Sequence, residues 1–257
     1  MNARAADLAP PLLFGLVVLA AWEVGVKLLG VPAIILPAPS AILLRLVSST
    51  PTLAADFLQT IRGVLAGYAI GSGAGLLVAI LIDRSPFLQR GLLPLGNFVS
   101  ALPIVGVAPI MVMWFGFDWQ SKAAVVVVMT FFPMLVNATV GLAGAGPMER
   151  DLMMTYAADY SQTLRMLRLP AAAPFIFNAL KINTTLAMIG AIVAEFFGTP
   201  TVGMGFRIST EVGHLSIDMV WATIVVAALT GSAFYALVNL IERRVTFWHA
   251  SYRTRGN

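Results

Sequence analysis

Apolar residues run along this chain in stretches about twenty residues long, divided by short polar segments, with one polar segment long enough to hold structure of its own. Roughly 20 predominantly apolar residues in helical form cross a bilayer core. About six such runs are visible, at 12–29, 61–82, 92–115, 123–142, 174–197 and 219–241. The long interruption, 149–170 (ERDLMMTYAADYSQTLRMLRLP), has room for two short helices, is basic, carries an alanine pair and ends in Leu169-Pro170. The pattern predicts an all-α, polytopic transmembrane helix bundle, a single domain over 1–257, presenting 149–170 to a soluble partner. The first run follows Arg4 as a signal peptide's would. It is long for an h-region and no small-x-small cleavage site follows, so a retained anchor is expected.

The runs differ in what interrupts them. In the second, Gly63, Gly67, Gly71 and Gly75 recur every four residues. That spacing puts four glycines on one helix face and lets a neighbouring backbone approach closely, so helix packing is the expected role. The third contains Pro103, Gly106 and Pro109, which predict a kink or local unwinding; a path-lining helix and a kink serving packing alone both fit. Phe131, Phe132 and Pro133 in the fourth run invite the same two readings, and Asn137 follows one turn later. A lone intramembrane amide is more often a helix-helix hydrogen bond than a ligand contact. The fifth run is the most polar, with Asn178, Asn183, Thr184 and Thr185, and is the expected pore-facing helix.

Composition fixes the solvent. With 59% hydrophobic and 11% charged residues and a mean hydropathy of +0.87, a soluble globular domain is excluded. There is no cysteine, which removes disulfides, thiol nucleophiles and cysteine-ligated metals. A net charge of +4 would suggest nucleic acid in a soluble chain; here the placement of the cations matters more than their sum, and no nucleic-acid partner is expected. With the N-terminus cytoplasmic, that side receives Arg4, Arg84, Arg90, Arg150, Arg165, Arg168, Arg243, Arg244, Arg253 and Arg255, against Arg45, Lys122 and Arg207 on the other. The positive-inside bias therefore places both termini and 149–170 in the cytoplasm.

Ionisable groups within spans are expensive and need partners. Glu23 and Lys27 are spaced to satisfy one another, and Lys181 is expected to snorkel toward the cytoplasm. Glu195 has no cation one turn away, so its partner must come from elsewhere in the bundle or from solvent; a structural role and a role in the path or its gating both stay open. The polar segment 198–218 is expected outside, as a short surface helix. His214 and His249 fall on opposite sides, which leaves no metal site. No GxxxxGK occurs, so ATP and Mg are not expected on this chain. A secondary transporter would show buried acids or broken helices in repeated halves, and a membrane enzyme a cluster of His, Asp or Glu. A membrane scaffold fits the packing glycines and the docking loop equally well.

The 149–170 segment resembles the cytoplasmic "EAA" loop of importer-type ABC permeases, whose pattern is Glu-Ala-Ala, three residues, Gly, nine residues, Ile-x-Leu-Pro. Anchored on Leu169-Pro170, Leu167 takes the Ile position, Ala157 the Gly position, and Asp151-Leu152-Met153 the Glu-Ala-Ala positions. Leu36-Pro37-Ala38-Pro39-Ser40, Leu102-Pro103, Ala108-Pro109, Trp114-Phe115-Gly116-Phe117, Phe132-Pro133 with Asn137, and Ala194-Glu195 look like the sulfonate/nitrate/taurine group of binding-protein-dependent permeases. Within it, Phe131-Phe132-Pro133 and the C-terminal Glu242-Arg243-Arg244-Val245-Thr246-Phe247-Trp248-His249 look closer to permeases for thiamine-precursor pyrimidines and riboflavin.

The resemblance implies a MetI-like permease in a bacterial inner membrane. It would pair with a second copy of itself, dock a coupling helix on each of two cytoplasmic ATPase subunits, and receive solute from an external binding protein. ATP hydrolysis would then lie on the partner, and this chain would not be an enzyme. The coupling residues would be Asp151, Ala157, Ala158, Asp159, Arg165, Leu167, Leu169 and Pro170. Asp159 and Ser161 suit a helix start and Arg165 and Arg168 its cationic end, whereas the Cβ of Ala157 speaks against an αL turn at the family's glycine. The path would involve Pro103, Pro109, Phe132, Asn137, Asn183, Thr184 and Glu195. The solute expected is a small organic nutrient, a pyrimidine or other N-heterocycle, with a sulfonate, taurine or nitrate as the alternative.

Overall fold

A computed structural model describes residues 3–100, 102–198 and 201–247. Pro200, Trp248, His249, Arg253 and Arg255 lie outside the described residues. Those described form helices α1 (Ala3–Leu28), α2 (Pro39–Ser48), α3 (Thr50–Asp83), α4 (Pro86–Ser100), α5 (Ile104–Phe115), α6 (Trp119–Ala143), α7 (Pro147–Thr155), α8 (Tyr160–Thr163), α9 (Leu169–Phe197), α10 (Met204–Gly213) and α11 (Ile217–Val245). A π-helical turn, Leu164–Arg168, joins α8 to α9 without a break. Prolines open α2, α3 and α7, positions where the missing N–H costs no hydrogen bond.

Among the described residues five helices are long and apolar enough to cross a membrane. The run expected as a third span is instead two pieces of 15 and 12 residues, α4 and α5, each short of the roughly 20 residues a crossing needs. The break falls before Pro103, which is extended at φ −67°, ψ 117°. Proline bars the preceding residue from helical geometry and supplies no N–H. α3 starts at Thr50 rather than at residue 61; its first turns are largely exposed, with Leu53, Asp56 and Thr60 buried against the rest of the bundle. At about 1.5 Å per residue its 34 residues run roughly 50 Å, well past a hydrocarbon core of about 30 Å.

The packed centre is α3 on α6 on α9. Val64 and Val126 meet Ala187, Met188 and Ala191 in one cluster; Ala79, Ile82, Met134, Leu135, Ala138 and Ala179 form a second. The four-residue glycine series of α3 is the seam with α6. Cβ atoms at Gly63, Gly67, Gly71 and Gly75 would run into the backbone or side chains around Lys122, Ala123, Val126, Thr130 and Phe131. Small residues here let two backbones close on each other. α1 and α11 are peripheral, with 6% of their apolar windows buried.

Candidate functional site

The 147–170 segment is built as helix, tight reversal, helix. α7 ends in a Schellman closure, with Ala158 N donating to Met153 O at 3.0 Å and Ala157 N to Met154 O at 2.9 Å. Ala157, the C′ residue, stands at φ +51°. The αL turn is therefore present despite the Cβ that argued against it, and the two closing hydrogen bonds offset its cost. Asp159 then caps α8: its carboxylate accepts from Gln162 N at 2.7 Å while Gln162 Oε1 accepts from Asp159 N at 2.9 Å, a complete capping box.

The tip of this segment is exposed and apolar: Met148, Leu152, Met154, Tyr156 and Met166 all face outward. Asp151, Ala157, Asp159 and Arg165 are exposed with them, and Ala158 and Leu167 are half-buried. Leu169 packs on the core cluster beside Ala172 and Leu142, and Pro170 follows it in the first turn of α9. A clamp ties the segment to the end of α3. Arg168 pairs with Asp83, Tyr160 Oη donates to Asp83 Oδ2 at 3.1 Å, and the Arg84 guanidinium lies 4.1 Å over the Tyr160 ring.

At the other end of α3 a buried polar knot fastens the loop after α9. Asp56, with no exposed surface, accepts from Gly203 N at 2.9 Å and pairs with Arg207 Nε at 2.8 Å. The hydrogen bond from Arg207 to Asp56 raises the guanidinium pKa further and keeps it charged. Thr60 Oγ1 lies 2.8 Å from Glu195 Oε1 and accepts from Met204 N at 2.9 Å, while Gly205 N donates to Glu195 Oε2 at 2.7 Å. Gly203 at φ +148° and Gly205 against Ile192 O leave no space for a side chain. Lys122 Nζ donates to the carbonyls of Phe117 and Gly198. Just outside, the amide of Gln59 and the N–H of Trp119 donate to Asp118 and hold its carboxyl below the usual range.

The residues expected along a path divide. Asn183, Thr184 and Glu195 are shut inside the bundle: Asn183 Nδ2 donates to Ser72 Oγ and Thr130 O at 2.9 and 2.8 Å, and Thr184 Oγ1 to Lys181 O at 2.7 Å. Lys181 pairs with Glu242 at 2.8 Å, near the basic end of α11. Pro133, with Leu102 and Ile104 on either side of Pro103, and with Val107, Met129 and Leu186, lines a cleft of about 100 Å³ at the α4–α5 break. Pro109 lies within α5, and Phe132 packs toward the core and edge-on to Phe131 at 4.8 Å. Asn137 Nδ2 donates to Pro133 O at 2.8 Å, and its Oδ1 faces Asn178 Nδ2 at 3.4 Å. Asp56 and Thr60 were missed in the sequence; the signal was Asp56, Gln59 and Thr60 on one helix face directly before an apolar run. Among the described residues no group of His, Asp and Glu could hold a metal ion.

Comparison with known proteins gives this arrangement a family. Over 239 residues the chain is 30% identical to the formylaminopyrimidine transport permease protein ThiX of Halalkalibacterium halodurans, covering 93% of this chain and 95% of that one. It is 30% identical over 232 residues to the riboflavin transport system permease protein RibX of Chloroflexus aurantiacus, covering 90% and 86%. A crystal structure of an amino acid ABC transporter with histidines superposes with a TM-score of 0.61 at 16% identity, over 78% of this chain and 97% of that one; this likeness shows the shared fold. The profile of the binding-protein-dependent transport system inner membrane component matches residues 71–247, and the chain belongs to that family of multi-pass ABC transporter permeases.

Proposed function

We propose that this chain is the membrane subunit of an ATP-driven importer that carries a small organic nutrient, a pyrimidine or related N-heterocycle, into the cytoplasm. The observation that carries the reading is the αL turn at Ala157. It falls on the family's glycine in the register fixed by Leu169-Pro170, and it turns a pair of capped helices outward with Met154, Tyr156 and Met166 exposed. Exposed apolar side chains on a rigid reversal suit insertion into a groove on another protein. The segment 149–170 is the coupling element within a single permease domain, and Asp151, Ala158, Arg165 and Leu167 meet the ATPase.

In this reading the basic end of the bundle is cytoplasmic, with both termini there, and α10 faces the external binding protein. Two copies pair, each seated on one of two ATPase subunits that bind ATP and Mg. The aromatic surface at the end of α5, with Trp114 and Phe115 in the helix and Phe117 just after it exposed, suits the second copy. The pyrimidine assignment rests on the relatives' transport activities, and a sulfonate or taurine is the alternative solute.

Co-purification with the candidate ATPase tests the reading. Met154→Glu with Ala158→Glu should abolish recovery of the ATPase while the permease still elutes as a folded, monodisperse species. Recovery equal to wild type would sink the coupling assignment and favour a scaffold or an ion-coupled carrier.

A further inference from the structure

α9 carries polar groups on a face that the bundle does not cover. Asn178 and Thr185 are exposed, as are Phe175, Ile182 and Ile189 on the same face. Measured from residue 174, where the apolar run of α9 begins, Asn178 sits about 6 Å in, roughly one turn inside the proposed cytoplasmic end, and Thr185 about 16 Å in, at the depth of the hydrocarbon core. Polar side chains at that depth face water-filled cavities or protein rather than lipid. They open on a cleft of about 350 Å³ between α9 and α11, lined by Asn178, Lys181, Ile182, Thr185, Leu186 and Tyr235. Leu186 also lines the cleft at the α4–α5 break, so the two hollows share one wall.

The chemistry of the α9–α11 cleft is specific. Asn178 donates weakly to Asn137 at 3.4 Å, which leaves its carbonyl oxygen and second N–H free to pair a donor–acceptor edge. Thr185 adds a hydroxyl, and the exposed Tyr235 ring a flat surface. Lys181 is the cation among the described lining residues, and its charge is already matched by Glu242 at 2.8 Å.

We propose that this cleft is a solute-binding site within each subunit that takes an uncharged, flat N-heterocycle and rejects anions. The volume matches a small-molecule site, and the paired charge is what sets the selection. A sulfonate entering here would lose its hydration shell without gaining an unpaired cation, whereas a ring with adjacent ring nitrogen and amino group finds an amide partner and an aromatic face. The proposal rests on the importer reading for its purpose, but the site is testable without it.

Full-length permease in nanodiscs would be titrated with two fluorine-bearing probes followed by ¹⁹F line broadening: 4-amino-5-fluoropyrimidine, uncharged at pH 7.5, and triflate, a permanent anion. The wild type should bind the pyrimidine at least tenfold more tightly. Asn178→Ala with Thr185→Val, both on the exposed face, should weaken the pyrimidine tenfold or more and leave triflate unchanged. Glu242→Gln, which frees Lys181, should strengthen triflate at least threefold. Triflate binding wild type as well as the pyrimidine does, or a double variant that binds both probes as wild type does, would overturn the site. So would a double variant that changes only the dimer's mass in solution, since the cleft would then be filled by the second copy. ATPase recovery by the same double variant is read in parallel: retained recovery with unchanged probe binding removes the site and leaves the importer standing, and lost recovery by wild type does the reverse.

Discussion

Ala157 occupies a left-handed backbone conformation at φ +51° that costs a residue with a Cβ roughly 1–2 kcal/mol. It is held there by the Schellman hydrogen bonds before it and the capping box after it. Ala157→Gly should therefore raise stability by about 1 kcal/mol, the relief of strain being partly offset by glycine's freedom in the unfolded chain. For a protein of this size that is a rise of roughly 2–4 °C in thermal midpoint, measurable as loss of the monodisperse peak on heating. A fall would mean that the turn is not left-handed. The residue also marks the limit of reading motifs as strings: a missing glycine argued against a turn that capping groups on both sides enforce. Lys122 and Lys181 teach the same lesson about charge. Each sits at the end of an apolar run, where solvent is the default partner, yet one is capped by the nearby Phe117 carbonyl and the carbonyl of Gly198, and the other by Glu242; Gly198 and Glu242 lie far away in sequence.

At the scale of elements, α3 makes two kinds of contact through one residue type. A Cβ on Gly67 would lie 2.6 Å from Ala123 O and 2.8 Å from Val126 Cγ1, whereas one on Gly73 would meet nothing within 4 Å. The same substitution should then have opposite signs on one helix. Gly67→Ala should destabilise by about 1–3 kcal/mol through overpacking, and Gly73→Ala should stabilise by roughly 0.5–1 kcal/mol through helix propensity. Thermal unfolding of the two variants beside wild type decides it; equal shifts would mean that α3 and α6 are not in backbone contact. The periodicity of the glycines made this seam legible in the sequence, as apolar length did for the five crossing helices. Hydropathy could not show where α3 begins. Asp56 and Thr60 lower the local average, yet they are buried because Arg207, Glu195 and the backbone of 203–205 satisfy them. The break between α4 and α5 was legible as a proline disturbance; that it splits the run into two short helices depends on how the halves pack on α6.

The molecule as a whole is a three-helix centre fastened at both ends of α3. At one end the Asp56–Arg207 and Thr60–Glu195 contacts hold the loop leading into α10; at the other, Asp83 holds Arg168 and Tyr160 at the root of the exposed helix pair. α1 and α11 lie outside this unit and bury little. A push on the helix pair therefore passes into α3 through Asp83 as well as into α9 through the continuous backbone, and α3, α6 and α9 are expected to move as one body. Asp83→Asn tests the first of these routes. The side-chain pair is only partly exposed, 19% for Arg168 and 13% for Asp83, so its loss is not screened away as a surface pair's would be. Uptake of a radiolabelled aminopyrimidine per ATP hydrolysed, in proteoliposomes holding the permease, its ATPase and its binding protein, should fall by about fivefold, the effect of losing roughly 1 kcal/mol of coupling. ATPase recovery should stay at the wild-type level, because the proposed docking surface, with Met154 and Tyr156 exposed, is untouched. Exchanging the charges, Asp83→Arg with Arg168→Asp, should restore at least half of the lost uptake, which a simple loss of folding would not allow. Unchanged uptake per ATP in Asp83→Asn would show that the backbone of α9 alone carries the motion. Loss of the ATPase together with uptake would show that the clamp shapes the docking surface instead of transmitting force.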